Sequence, residues 1–306
     1  FGGDFKFGRD WYQHGHGFVM HNYADAVSFA KRCGDIDLAL NVFFKRQAGE
    51  DYYNIWNVNA DYSYKNHDMY LGFYYNANEP EAAAEKEMRI EFGSHGRLTN
   101  NNDKLTYDVA AVYSKLTANG EGDDQKGWLG HVAVNYDSHK QLTAKVAYTF
   151  ADDESLAAVN VENFNSYCQG DETIFDDLYL ASMATNNNGW SNLGFNNLKD
   201  LKVQLGYTLK NNDKHSFRLA YDNVQNNKDG EGKTNTFNAA SGLGNDGLKA
   251  NIITFEYQYK LSDNARLRLG YQNSKIKADA MQVGGTELPF EDQKSDLYFT
   301  ELYTRF

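Results

Sequence analysis

Hydrophobic and polar residues alternate along most of the chain. In the segment 253–261, every odd-numbered residue is apolar or aromatic, and every even-numbered residue is polar or charged. A side-chain period of two is typical of a β-strand whose two faces meet different surroundings. The pattern predicts about 14 strands and very little helix. The predicted strands are 4–11, 18–30, 36–45, 56–64, 67–76, 86–93, 105–114, 126–137, 142–150, 201–210, 217–222, 253–261, 265–272 and 293–306.

The length of these segments favours a membrane protein. Many alternate over about 9 to 13 residues, whereas an ordinary strand has about 5 or 6. A tilted strand that crosses a bilayer needs about 9 to 11 residues. Alternation itself fits two folds, because a soluble sandwich turns its apolar faces inward and a membrane barrel turns them toward lipid.

The lengths of the connections separate these two folds. If the first strand starts in the periplasm, the even-numbered connections must also be periplasmic, and all except 94–104 are tight. The odd-numbered connections are mostly long, and they contain both prolines, Pro80 and Pro289. Short and long connections alternate in this way in transmembrane barrels, whereas a sandwich has no reason to sort them. The sequence therefore predicts a closed antiparallel transmembrane β-barrel, with residues 1–306 as its single domain.

Composition excludes several other classes. No run of residues approaches the roughly 18 to 20 apolar residues of a membrane-spanning helix. The formal net charge of −12 argues against a nucleic-acid-binding protein, which needs a basic surface. Two cysteines, Cys33 and Cys168, are too few for a disulfide scaffold, and they fall at opposite ends of the predicted barrel.

The end of the chain carries a family resemblance. Tyr298, Leu302 and Phe306 share the outward phase of the last strand, and the final residue is aromatic. This ending resembles the C-terminal signal of Gram-negative outer-membrane β-barrel proteins, although Thr304 departs from it. The resemblance implies a bacterial outer-membrane location, insertion by the barrel assembly machinery, and contact with outer-membrane lipids and lipopolysaccharide.

A second resemblance covers the first two strands. The segment 5–10, followed by Gly15, His16 and Gly17 and then by Asp25, Ala26 and Val27, resembles a run in alginate-export-like and S-layer-homology-tethered porins. Such a run often follows earlier strands. The resemblance therefore implies a barrel of 16 or 18 strands, with residues preceding Phe1, unless the chain is a processed mature form.

Charged residues on the predicted inner face fall into two groups. The last five strands carry a basic wall, and earlier strands carry an acidic arc. Opposed walls of this kind would set up a transverse field that orders ions in a pore; the alternative is that a wet interior is simply charged. The basic wall comprises Lys202, Lys210, Arg218, Lys260, Arg266, Arg268 and Arg305, and the acidic arc comprises Asp37, Asp61, Glu87, Glu91 and Asp108.

The external connection 151–198 has eight acidic residues and no lysine or arginine. Its stretch 171–185 is the one helix-like pattern, beginning at Asp171 and Glu172 and continuing through Asp176 and Asp177. An apolar stripe on that helix needs a packing partner, which favours folding into the lumen as a constriction loop. The alternatives are an acidic lid or a loop that binds divalent cations; otherwise we expect no cofactor.

Other motifs carry little weight. The glycine pattern in 242–247 lies in a polar loop without a βαβ unit, so we do not expect a nucleotide site. The acidic turn 229–232 lacks the remaining ligands of a calcium loop. His14, His16 and His21 match no metal-binding spacing, and we expect them at the surface. We predict no enzyme activity; His14 and His16 with Asp10 form the only candidate for a catalytic site.

The predicted function is a porin that lets small hydrophilic solutes and ions diffuse passively across an outer membrane. One alternative is a channel specific for acidic saccharides, which the basic wall would attract. Another is a plugged barrel that binds a surface or tethers the envelope. The small side chains of Ala24, Ala26, Ser28 and Ala30 make a flat face, for which we predict a neighbouring barrel in a homotrimer.

Overall fold

The computed structural model of the chain describes residues 2–46, 52–77, 86–99, 102–117, 124–138, 141–153, 197–228, 245–246, 249–277, 280–283, 286–288 and 292–304. Within these ranges there are seventeen strands, β1 to β17, and no helix. Fourteen strands form one antiparallel sheet, and three short strands form a second sheet.

The main sheet contains strands of 10 to 16 residues. Its strands are β1 Asp4–Gln13, β2 His21–Cys33, β3 Ile36–Arg46, β4 Tyr52–Tyr64, β5 His67–Ala77, β6 Lys86–Thr99, β7 Asn102–Thr117, β8 Gln125–Asp137, β9 Leu142–Ala151, β10 Leu198–Thr208, β11 His215–Asn226, β13 Lys249–Ser262, β14 Ala265–Lys277 and β17 Gln293–Thr304. The small sheet contains β12 Asn245–Asp246, β15 Ala280–Val283 and β16 Thr286–Leu288.

Successive strands of the main sheet pair with one another, so this sheet is a meander. In the chain, β12 of the small sheet lies between β11 and β13, and β15 and β16 lie between β14 and β17. Registers continue over long stretches, with a shift between Arg97 and Thr99 and another between Lys260 and Ser262. Among the described residues, β1 and β17 form the two edges of the sheet and are not hydrogen-bonded to each other. The prediction of an all-β antiparallel fold with 14 strands is confirmed.

Short and long connections alternate, as expected. The six connections at one end, here called the short-turn end, have two to six residues each. Connections at the opposite, long-loop end have from five to forty-six residues. The predicted loop 94–104 is wrong, since β6 continues to Thr99 and β7 starts at Asn102. The glycines and polar residues of that stretch simply extend the ladder past the apolar part of the two strands.

The two faces of the sheet differ in the way that the alternation predicts. Apolar side chains on the outer face are strongly exposed, and examples are Trp56 at 56%, Val146 at 51% and Leu205 at 50%. Polar and charged side chains lie on the enclosed inner face, where Glu91 is 0% and Lys202 is 2% exposed. A water-soluble protein has the reverse arrangement, so the outer face suits lipid. No helix within the described ranges is long and apolar enough to cross a membrane.

Candidate functional site

The basic wall is built around a carboxylate that the sequence analysis omitted. Arg218 holds Glu256 through two hydrogen bonds, Nη2 to Oε1 at 2.6 Å and Nε to Oε2 at 3.0 Å. Arg268 donates to the same Oε1 at 2.5 Å, and its Nη1 donates to Glu301 at 3.0 Å. Glu256 is 1% exposed, so two guanidinium groups enclose one buried carboxylate.

A second pair continues this network. The ammonium group of Lys202 lies 3.4 Å from Asp222, and both side chains are buried. Glu256 and Asp222 lie on the same inward-facing positions of their strands as the basic residues. The alternation of the sequence therefore contains the signal that identifies them as residues of the inner face. Lys202, Arg218 and Arg268 are therefore paired with carboxylates, so this part of the wall is not a uniformly positive surface.

Other members of the basic wall lie toward the short-turn end. The guanidinium carbon of Arg266 lies 4.6 Å from the ring centre of Tyr303, and Lys210 is exposed just beyond the end of β10. Lys260 donates to Asp263 at 2.6 Å. This hydrogen bond holds the pKa of Asp263 below its usual value, so the exposed pair persists at neutral pH and is lost on acidification. Arg305 lies outside the described residues.

Two members of the acidic arc lie opposite each other in the β3–β4 register. Asp37 pairs with Asp61, and both side chains are more than half exposed. Arg32 lies 3.8 Å from Asp37 across the hairpin of β2 and β3. Asp61 points toward the interior, where it meets the first long connection.

The remaining acidic residues lie deeper on the inner face. Glu87 accepts a hydrogen bond from Arg89 at 3.0 Å, and Asp108 accepts one from Asn135 at 2.5 Å. Glu91 is completely buried, and its carboxylate faces the backbone amide of Phe18. All five predicted acidic residues thus lie on the inner phase of β3, β4, β6 and β7.

The connection between β1 and β2, here called the 14–20 loop, lies inside the enclosed face. Phe18, Val19 and Met20 are at most 2% exposed, and they join the buried cluster that contains Phe43 of β3. The Gly17 amide donates to the His14 carbonyl at 2.8 Å and closes a tight turn. Burial of three apolar side chains fixes this loop against the inner wall.

Gly15 allows the tight approach of the loop to β5. Its φ of +52° lies in the left-handed region, which disfavours residues with a Cβ atom. A Cβ at this position would lie 2.1 Å from the ring of Tyr70. The loop therefore packs its backbone directly on the Tyr70 side chain.

His14 lies between two carboxylates from different strands. Its Nε2 is 3.3 Å from Asp61 of β4, and its Nδ1 is 4.0 Å from Glu91 of β6. The imidazole is 7% exposed, and within the described residues neither ring nitrogen makes a hydrogen bond. The two carboxylates are the charged groups that this ring faces most closely.

His16 reaches three further strands. Its Nδ1 is hydrogen-bonded to the Tyr70 hydroxyl at 2.6 Å, and its Nε2 lies 3.8 Å from Asp108 of β7. The ring centre lies 5.9 Å from that of His131 on β8. A cavity of about 700 Å³ borders these groups, and its lining includes His16, Asp61, Asp68, Tyr70, His95 and Asp108.

These positions correct the expectation of surface histidines. His14 and His16 are buried or nearly buried in the lumen, because the apolar run 18–20 carries the loop inward. The alternation predicts that residues 18–20 belong to the second strand. In the structure they precede β2, and their side chains are buried in the enclosed interior instead of facing lipid. Within the described part of the chain, no cluster of three or more possible metal ligands is present.

The long connection 151–198 is described only at its two ends. Asp152 accepts hydrogen bonds from the Trp128 amide and from Asn227, and Asp153 pairs with Lys228 at 2.7 Å. These contacts fasten the start of the connection to the rim. Asp171, Glu172, Asp176, Asp177, the helix predicted at 171–185, Cys168 and Phe306 lie outside the described residues, whereas Cys33 is exposed at the short-turn end.

The small-residue face proposed for trimer contacts is wrongly placed. Ala24 and Ala26 are 1% exposed and lie on the inner side of β2, and Ser28 is hydrogen-bonded to Tyr12 across the strand pair. Small side chains at these positions make room for the buried apolar cluster that contains the 14–20 loop. Ala24, Ala26 and Ser28 are therefore not available to a neighbouring barrel, whereas Ala30, nearer the short-turn end, is exposed.

Searches by sequence and by structure give different results. The sequence matches no protein-family model and no curated protein. The structure resembles OccK11 (OpdR) of Pseudomonas aeruginosa with a TM-score of 0.60 at 12% identity, covering 99% of this chain and 78% of that one. The fold is that of an outer-membrane porin.

Two more solved structures support this porin fold. The outer membrane protein OprD of Pseudomonas aeruginosa has a TM-score of 0.57 at 15% identity and is covered to 75%, with 97% of this chain aligned. A BenF-like porin from Pseudomonas fluorescens Pf-5 has a TM-score of 0.57 at 11% identity and is covered to 74%, with 99% of this chain aligned. The chain thus corresponds to about three quarters of the length of these barrels.

Proposed function

We propose that the protein is a channel for passive diffusion of small hydrophilic solutes and ions across the outer membrane of a Gram-negative bacterium. The observation that carries the proposal is the inverted distribution of side chains, with apolar residues outside and a charged, cavity-bearing interior inside. Solutes would move down their gradients, and no covalent chemistry is required. Outer-membrane lipids, lipopolysaccharide and the barrel assembly machinery are the partners that this location implies.

The 14–20 loop supports a narrow channel rather than a wide one. It places two imidazoles and a buried apolar cluster beside the cavity on the acidic side of the lumen. A solute would then pass between this loop and the paired charges around Glu256. Binding of divalent cations by the 151–198 connection, and a homotrimer, stay predictions.

An acidic saccharide remains the second candidate for the solute. Arg218 and Arg268 present two guanidinium groups on one wall, a donor arrangement that suits carboxylates. Their shared partner Glu256 already uses part of that capacity, which makes a general diffusion channel the better supported function.

Planar bilayers test both candidates with the purified, refolded chain. We expect discrete conductance steps in potassium chloride, reduced no more by a uronic acid than by its neutral parent sugar. Block by the uronic acid alone, relieved in Arg218→Gln, would favour the saccharide channel. A folded barrel that gives no steps would contradict channel function and favour a plugged surface-binding barrel.

A further inference from the structure

We propose that four lysines on the outer face of β13, β14 and β17, here called the outer lysine cluster, bind the phosphate groups of lipopolysaccharide in the outer leaflet of the membrane. The cluster comprises Lys249, Lys275, Lys277 and Lys294. The inference rests on the outer-membrane location of the barrel and does not depend on whether its lumen conducts.

Alternation along the strands places all four side chains on the lipid side of the sheet. Ala250 and Ile276, each next in sequence to members of the cluster, are 0% and 3% exposed on the inner face. Because successive side chains point to opposite faces, the lysines beside them point outward. Lys294 lies opposite Lys275 in the register of β14 and β17, so it shares that face. All four lysines are exposed.

A layer of hydrogen-bonded polar groups marks the level of the cluster in the membrane. Nearer the middle of the sheet, Phe255 is 45% exposed on the apolar outer face. Beyond it, the Tyr221 hydroxyl donates to Asn251 at 2.7 Å, and the Tyr271 hydroxyl donates to Asp296 at 2.6 Å. Tyrosine is enriched at the boundary between acyl chains and head groups. The cluster occupies the row of Asn251 and the next row outward, where the phosphates of a lipid lie.

The lysines oppose one another in pairs across the ladder. Lys249 is paired with Lys277 in the register, and Lys275 is paired with Lys294. The Cβ atoms of directly opposed residues lie about 5 Å apart, and like charges at such positions are destabilising. The next position on the same face of a strand is about 7 Å away. Four ammonium groups in so small an area create a positive potential that a bound anion would relieve.

Carboxylates of the protein neutralise only part of this charge. The Lys277 ammonium group lies 2.6 Å from Asp292. Within the described ranges of the chain, Lys249, Lys275 and Lys294 have no ion-pair partner. A lysine ammonium group binds phosphate oxygens as a point charge, while its aliphatic stem can lie along apolar surface. Three of the four charges are therefore available to phosphates of a neighbouring lipid.

Lysines of the outer face are concentrated at one end of the barrel. In the described strands, Lys86, Lys115, Lys126 and Lys199 also face outward at the long-loop end, whereas Lys31 does so at the short-turn end. The long loops of outer-membrane barrels are extracellular. Because lipopolysaccharide forms the outer leaflet and carries phosphates, this distribution favours it over a phospholipid of the inner leaflet.

Binding of lipid A, the phosphorylated anchor of lipopolysaccharide, tests the cluster in the purified, refolded chain in detergent micelles. The probes are bisphosphorylated lipid A and the same lipid after removal of its phosphates. We expect the phosphorylated form to bind at least about tenfold more tightly, as measured by native mass spectrometry. In the variant Lys249→Gln/Lys275→Gln/Lys294→Gln, this advantage should fall to less than about twofold.

The matched control removes three lysines at the opposite end of the barrel. Lys31, Lys65 and Lys214 are exposed at the short-turn end. The variant Lys31→Gln/Lys65→Gln/Lys214→Gln makes the same change in net charge and should retain the advantage. Equal loss in the two triple variants would overturn the site by pointing to net charge alone. Equal binding of the two lipids by the wild type would also overturn it.

Two further probes separate lipopolysaccharide from other sources of phosphate. Excess inorganic phosphate, and phosphatidylglycerol at the concentration of the lipid A, should each leave most of the lipid A bound to the wild type. Displacement by inorganic phosphate would identify a site for a free anion, and displacement by phosphatidylglycerol would identify a site for anionic lipids in general. Either result would overturn the assignment to lipopolysaccharide.

Urea unfolding in lipid vesicles gives an independent test of sign. In phosphatidylcholine vesicles, Lys275→Gln should raise the urea midpoint, because it removes a like charge opposite Lys294. In vesicles that also contain lipid A, the same substitution should lower the midpoint. The same sign in both vesicles would overturn the site.

This single variant also replaces the triple variant if the latter fails to fold, as judged by heat-modifiable migration in gels. Neither the binding measurement nor the unfolding measurement uses conductance. Loss of the lipid site would therefore leave the proposed channel function intact, and absence of conductance steps would leave the lipid site intact.

Discussion

At the scale of single residues, glycine positions decide how closely the 14–20 loop approaches the wall. Gly15 places its backbone on the Tyr70 ring, and Gly72 of β5 leaves room for the His14 ring, whose Nδ1 would lie 2.9 Å from an added Cβ. Each imidazole reaches its partners only because a neighbouring position lacks a side chain. The loop is therefore fitted to the barrel interior by small residues on both sides.

We expect Gly15→Ala to displace the loop and to raise single-channel conductance. The new methyl group would collide with Tyr70, and an L-residue in the left-handed region costs about 1 to 2 kcal/mol. Gly34→Ala is the control, because Gly34 has φ +66° but no atom within 4 Å of its added Cβ. Equal conductance in the two variants would show that the loop does not limit the pore.

At the scale of the strand, the outer face is a continuous apolar surface built by register. Val134, Val146 and Val203 of three neighbouring strands lie side by side, each between 39% and 51% exposed. Their neighbours in sequence point inward. Because successive side chains point to opposite faces, each strand presents one face to lipid and the other to the interior of the sheet.

We expect Val146→Arg to lower the free energy of unfolding by about 2 to 4 kcal/mol, because the charge would enter the lipid face. Thr143→Arg, three residues earlier on the inward phase of β9, should change it by less than about 1 kcal/mol. Urea unfolding in lipid vesicles measures both. Similar losses in the two variants would mean that the outer face is not in lipid.

Strand periodicity predicted most of the fold, but not the path of the loops. All fourteen main strands and five of the six short turns follow from alternation. A shift of one residue would turn every apolar side chain of a strand to the wrong face, so the alternating pattern restricts where each strand can lie. The β6–β7 turn was predicted too long because polar residues extend the ladder beyond the apolar part of the strands. The inward path of the 14–20 loop was missed because its apolar run at 18–20 reads like the start of a strand.

The sequence predicts which charged residues point into the interior, but it does not predict which of them form ion pairs with one another. Inward positions of Arg218, Arg268 and Glu91 follow from counting residues along each strand. The sharing of Glu256 by two arginines does not, since it depends on the register between β11, β13 and β14. Similarly, the Ala24–Ala26 face was assigned to the wrong side because both faces of β2 contain apolar residues.

At the scale of the whole molecule, charge is distributed unevenly along the axis. The chain has a formal net charge of −12, and the connection 151–198 at the long-loop end carries eight acidic residues without a basic one. Three basic residues of the inner wall, Lys202, Arg218 and Arg268, are matched by Asp222, Glu256 and Glu301. Because both described ends of that connection lie at the long-loop end, we expect the entrance there to present excess negative charge to an approaching ion.

We expect a preference for cations over anions that weakens with salt. At about 0.1 M potassium chloride the screening length is about 10 Å, and at about 1 M it is about 3 Å, shorter than the width of a pore. Reversal potentials across a salt gradient measure the preference at both mean concentrations. A preference for anions at low salt would show that the basic wall outweighs the acidic entrance.

The meander of the main sheet has a consequence for how such a molecule changes over evolutionary time. Within the described ranges, each strand hydrogen-bonds only to the main-sheet strands that precede and follow it, and two-residue turns close most hairpins at one end. Duplication or deletion of one hairpin would thus leave all other registers intact while widening or narrowing the circumference by two strands. Gene duplication can therefore change the size of the pore in steps of one hairpin, without a change in any existing strand pair.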